Sequence, residues 1–175
     1  MKKVGICIYK LCEDLWPITR SITGKGVRET LNIIKRHLPN LDVHEVPTDT
    51  TCFDWVIPKE WNINDAYVID PNGNKIVDFK DSNLHVVSYS VPINQTLSLN
   101  ELQNNLHSLP KQPDAIPYVT SYYQERWGFC LTDRQRKTLL EGDYQVCIDS
   151  ELTDGSLTYG ELIIHGRSKK EVFLS

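Results

Sequence analysis

The 175-residue sequence is short of the arrangements that usually announce chemistry. Its five histidines, His37, His44, His85, His107 and His165, are all more than four residues apart, which excludes a His-Glu-x-x-His metal pair. Its five cysteines, Cys7, Cys12, Cys52, Cys130 and Cys147, form no Cys-x-x-Cys pair, which excludes a zinc-ribbon spacing; their odd number and wide scatter exclude a disulfide framework. Cys130 and Cys147 lie in apolar runs and read as buried, reduced thiols. There is no Gly-x-Ser-x-Gly elbow, and Gly24-Lys25-Gly26 lacks both Walker spacing and a preceding buried strand, so it reads as a helix-entry turn. No run approaches the roughly 18 apolar residues of a membrane span. The apolar stretch Val4–Tyr9 behind Lys2-Lys3 is too short for a leader, is followed closely by Glu13 and Asp14, and has no small-residue cleavage site. A cytoplasmic protein without membrane contact is expected. A net charge of -4 and a pI near 5.7 give no reason to expect nucleic acid as a partner. Arg134-Gln135-Arg136-Lys137, flanked by Asp133 and Glu141, reads as a solvated helix face.

What is present is an ordinary globular composition, 40% hydrophobic and 24% charged, with mixed α and β signals. Val27, Leu31, Ile34 and Leu38 recur at helical spacing behind Thr23 and ahead of Pro39, and an alternating strand Leu41–Val46 ends at Pro47. Asp70-Pro71-Asn72-Gly73 joins Asp65–Ile69 to Asn74–Phe79 as a hairpin. Ser98 and Glu101 have capping-box spacing and predict a helix to about Leu106; Thr132 and Gln135 predict another reaching Leu139-Leu140. Strands are expected over Asp143–Ser150, over Leu157–His165 after an Asp154-Gly155 turn, and over Lys170–Leu174 after a turn at Gly166–Lys169.

Two segments are too polar and too aromatic at once for plain core: Leu15–Gly24 and Ser121–Cys130. Trp, Tyr and Arg at irregular spacing suit a pocket that stacks a ligand and grips a carboxylate, which makes Arg20, Tyr123, Arg126 and Trp127 the candidate substrate-binding residues. The plainer alternative has Trp16 and Trp127 as core anchors and the arginines paired with nearby acids. The two tryptophans in Trp55–Tyr67 suit either a binding lip or a packed, proline-containing connection.

The segments Trp16–Gly24, Val56–Ile63, Asn83–Ser90, Leu106–Pro110, Gln112–Tyr118, Ser121–Tyr123, Arg126–Cys130 and Gly155–Glu161 resemble, in order, those of a bacterial and archaeal zinc aminopeptidase-like family often found near polysaccharide-biosynthesis genes. The resemblance implies an α/β class of mixed character: a partial exopeptidase-like sheet from residues 1–50 and 143–175, interrupted by a β-rich inserted domain over 51–142. In that family the strand matching Glu171–Ser175 runs on into Cys-His-Pro and Ala-Asn-Asp-Asn segments that supply zinc ligands, and later segments supply the general base. None of these segments is in this sequence, so the resemblance assigns no catalytic or metal residue and no cofactor here, with zinc and a peptide or amide substrate belonging to the full-length form. Two readings follow. The chain is the N-terminal part of an aminopeptidase-like hydrolase, inactive alone, or it is a non-enzymatic binding module built on the inserted domain. An end strand deprived of its neighbours would favour self-association through that edge.

Overall fold

A computed structural model describes residues 2–168 and 170–174. The elements in chain order are α1 (Lys2–Leu15), α2 (Gly24–His37), β1 (Asp42–Pro47), β2 (Thr51–Cys52), β3 (Trp55–Val56), β4 (Glu60–Ile69), β5 (Lys75–Asp78), a 3-10 turn (Asn83–His85) and β6 (Ile93–Ser98). They continue with α3 (Leu99–Gln103), β7 (Leu106–His107), β8 (Phe129–Cys130), α4 (Asp133–Arg136), β9 (Asp143–Thr153) and β10 (Ser156–Glu161). The mixed α/β class expected from the sequence is the one observed.

The core is a four-stranded antiparallel sheet in the order β5-β4-β9-β6. Alternation along β9 sends Tyr144, Val146, Ile148 and Ser150 inward, where they meet Trp61, Ala66 and Val68 of β4 and Phe129 and Leu131 from the far side. The β4–β5 turn is built as its sequence demands: the Asp70 carboxylate accepts the Asn72 and Asn74 amides, and Gly73 takes φ 83°. A register shift between Ile63 and Asp65 kinks β4 beside β9.

A second, smaller unit is made by β1 and β10, paired antiparallel from Asp42↔Glu161 to Pro47↔Ser156, with α2 packed on β10. The expected division at 142/143 therefore moves. β9 lies between β4 and β6 because its alternating apolar residues complete that core, so the sheet of the central unit extends to Thr153 and only β10 joins β1.

Several local expectations are corrected. The run Val4–Tyr9, for which the sequence predicts no element, lies in α1, an exposed helix with Val4, Ile8, Leu11 and Leu15 at helical spacing. The Ser98 helix has its full capping box but ends at Gln103, since Leu106 pairs with Phe129 in β7–β8. The Thr132 helix ends at Arg136; Thr132 accepts the Gln135 amide, while the Gln135 side chain goes to the Ile76 carbonyl instead of closing a box. β10 stops at Glu161, short of His165, and Lys170–Leu174 is no strand: Val172, Phe173 and Leu174 lie exposed with no backbone partner to order them. An edge strand there, the basis for expecting self-association, is absent among the described residues; Lys169 and Ser175 lie outside them.

Candidate functional site

A cleft of about 260 Å³ opens where the loop after α1 meets the central unit. Its outer wall is Trp16, Ile18, Thr19 and Arg20; its floor and far wall are Trp61, Leu84, Val86 and Ser88, with Asn83 and Tyr118 at the rim. The loop is held in three ways. Arg20 folds back so that Nη1 donates to the Leu15 carbonyl at 2.7 Å. The Asn83 amide donates to the Trp16 carbonyl at 2.9 Å. Gly26 lets α2 press against the loop so closely that a Cβ there would stand 1.9 Å from the Thr19 oxygen. Gly24, at φ 89°, packs equally tightly on the Trp61 carbonyl, so the Gly-Lys-Gly pair is a close-approach device rather than a phosphate cradle.

Beneath the floor lies a buried polar network. Thr23 occupies the N-cap position of α2 but caps nothing; its Oγ1 accepts the Trp61 amide at 3.1 Å and shares a short hydrogen bond with the Tyr89 hydroxyl. The Trp61 indole donates to the Ser90 carbonyl at 3.0 Å, and Ser150 Oγ donates to the same oxygen at 2.8 Å. Tyr89, itself at φ 68°, stacks on Trp61 with centroids 5.7 Å apart, and burial pushes its hydroxyl up to about 12. These bonds fix Trp61 as a rigid floor.

The four residues expected to bind substrate separate. Arg20 lines the cleft. Trp127 packs against the core, edge-on to Phe129 at 6.3 Å, as an anchor. Arg126 is exposed and donates to the Thr120 carbonyl at 3.0 Å, so neither arginine sits in an acid pair. Tyr123 is exposed on Tyr122, which meets Tyr89 edge-on, so it reaches the cleft floor only through a chain of rings. Asn83, Ser88 and Tyr118 also line the cleft and are not among the residues the sequence singles out. The one signal for them was their place within the segments that carry the family resemblance.

Among the described residues no three His, Cys, Asp or Glu side chains converge as a metal site. His85 Nδ1 is bonded to the Cys130 carbonyl at 2.7 Å; His107 is half-buried, and burial holds its pKa below the ordinary imidazole value. His44 stacks on Tyr159, 5.0 Å between centroids. Among the described residues a zinc ion thus finds no ligand set.

Residues 60–151 match the family described as "Domain of unknown function (DUF2172)", and the chain belongs to that family. The match runs from the first residue of β4 into β9, the span of the four-stranded sheet. The chain is 55% identical over 168 residues to a Clostridium acetobutylicum protein called "Putative polysaccharide biosynthesis protein with aminopeptidase-like domain". It also superposes with a TM-score of 0.86 and 56% identity on a crystal structure described as a "putative peptidase" from the same organism. These comparisons cover 96% and 90% of this chain but 38% and 37% of the relatives, so the chain spans well under half the length of each. Among the described residues no helix is long and apolar enough to cross a membrane.

Proposed function

We propose that the chain is the ligand-recognising part of an aminopeptidase-like hydrolase whose zinc and general base come from segments outside these residues, and that it hydrolyses nothing alone. The cleft beside Arg20 carries this reading: its loop wall is fixed by the Arg20, Asn83 and Gly26 contacts, and its floor by the buried bonds to Trp61. A binding surface built this rigidly loses little entropy when a ligand arrives. The names given to the relatives support the aminopeptidase-like part of the reading and add a link to polysaccharide biosynthesis. The β1–β10 ribbon supports it as well: β1 has one strand partner among the described residues, which leaves its outer edge for a further strand of an α/β sheet, while the outer edge of β10 is met at Leu157 and Thr158 by Thr23 and Ile22.

The test compares this chain with one extended to the full length of its relatives. The chain alone is expected to hold well under one zinc per molecule by elemental analysis and to leave aminoacyl-nitroanilides uncut, while the extended protein binds zinc and cleaves them. Stoichiometric zinc or metal-dependent cleavage by the short chain would overturn the proposal.

A further inference from the structure

We infer that the cleft between Trp16 and Trp61 is a subsite for one acidic sugar ring, with its carboxylate on Arg20; this rests on the cleft's being a binding surface, as proposed above. Its volume, about 260 Å³, lies just below the range of drug-sized ligand cavities (roughly 300–1,000 Å³), which suits a single ring rather than a chain segment.

Among the described residues Arg20 is the one charged side chain in the lining, and no carboxylate lines the cleft. A free ammonium such as a peptide N-terminus would meet a guanidinium where it needs an acid, so within the proposed hydrolase this cleft holds another part of the ligand. The cleft therefore selects an anion. Arg20 commits Nη1 to the Leu15 and Ile18 carbonyls, and among the described residues nothing engages its Nε or Nη2, which leaves donors suited to a planar carboxylate.

The rest of the lining identifies the body that carries the charge. Trp16 and Tyr118 stand at the rim 66% and 65% exposed, although the Asn83 amide pins the Trp16 backbone. Large flat side chains left open on a fixed backbone offer stacking area at small conformational cost, and the C–H face of a pyranose fits an indole or phenol ring.

The experiment is a titration of the isolated chain with glucuronate, glucose and alanylalanine in the presence of a chelator, followed by tryptophan fluorescence and by calorimetry. Glucuronate is expected to saturate in the low-millimolar range, and the other two to bind at least tenfold more weakly. Arg20→Gln and Trp16→Ala should each weaken glucuronate binding by roughly tenfold or more. Arg20→Lys, which keeps the charge and loses the fork, should fall between, and Arg36→Gln on α2, which does not line the cleft, should change nothing. Circular dichroism identifies any variant that fails to fold, and the Arg20→Lys and wild-type titrations then decide. Equal binding of glucose, tighter binding of alanylalanine, no saturation by glucuronate, or Arg20 variants that bind like wild type would each overturn the inference. The chelator makes the result independent of zinc, so failure here leaves the hydrolase reading to its own test.

Discussion

Arg28 on α2 and Glu60 at the start of β4 form a two-pronged ion pair, Nη1 to Oε2 at 2.9 Å and Nη2 to Oε1 at 2.5 Å, that ties the α2–β10 unit to the central sheet. Glu60 also accepts from the Asn62 amide and the Ser156 N–H, and it is 11% exposed against 32% for Arg28. The Arg28 guanidinium holds its carboxyl down to about 2. A depressed folded-state value means that the stabilisation is complete above the ordinary carboxylate pKa and is lost as pH falls from there toward 2. Glu60→Gln should cost about 2 kcal/mol at pH 7, between the worth of exposed and fully buried pairs. Urea unfolding of wild type and variant should converge only as pH falls to about 2; equal stability at pH 7 would refute the role.

Two glycines in helices should respond oppositely to alanine. Gly5 in α1 has open space around its Cα, so Gly5→Ala should stabilise by about 0.5–1 kcal/mol through helix propensity alone. Gly26→Ala carries the same propensity gain, but its methyl would overlap the Thr19 carbonyl. The clash, about 1–3 kcal/mol or more, should win. Thermal melting distinguishes the two, and the Gly26 variant should also shift the Trp16 fluorescence as the cleft wall moves.

At alkaline pH two buried groups resist ionising. Burial pushes the Cys130 thiol up to about 12 and the Tyr89 hydroxyl to about 12 as well. A raised folded-state value gives stability that is complete below the ordinary pKa, about 8.5 for a thiol and 10 for a phenol, and is lost as pH rises toward 12. Thiol-specific reagents should therefore leave Cys130 unmodified at pH 9 until the chain unfolds, and Tyr89→Phe should delay alkaline unfolding. Rapid Cys130 labelling in the folded chain would contradict the burial described.

The position of β9 decides where the chain can be cut. Residues 162–174 are irregular among the described residues, so a chain ending at Glu161 should keep a cooperative thermal transition. A chain ending at Gly142 loses Tyr144, Val146 and Ile148 from the core and should show none. A cooperative melt for the shorter chain would mean that the sheet closes without its central strand.

Local chemistry was readable in the sequence wherever one side chain determines one backbone feature. The Asp70–Gly73 turn, the Ser98–Glu101 box and the α2 periodicity were all legible. Pairing partners were not: β9 and β10 are separated by an Asp-Gly turn, the usual mark of a hairpin, yet each pairs with strands far upstream. The apolar alternation of β9 specifies a buried face and not whose face covers it. Arg20 was legible as a cleft-lining residue because arginine among aromatics suggests a pocket. Asn83, Ser88 and Tyr118 were not, since only tertiary packing brings three ordinary residues to one cleft.

The sheet order β5-β4-β9-β6 also has a consequence in time. On the ribosome β4, β5 and β6 emerge first, and the strand that must lie between β4 and β6 emerges last of the four. Until then the edges of β4 and β6 that pair with β9 are open, and the loop that closes when β9 arrives spans most of the family domain. Long-range closure of this kind slows folding and lengthens the interval in which aggregation competes with it. The nascent chain therefore depends on whatever shields it during that wait, and its yield in a cell should be governed more by translation speed and chaperone supply than by the stability of the finished fold.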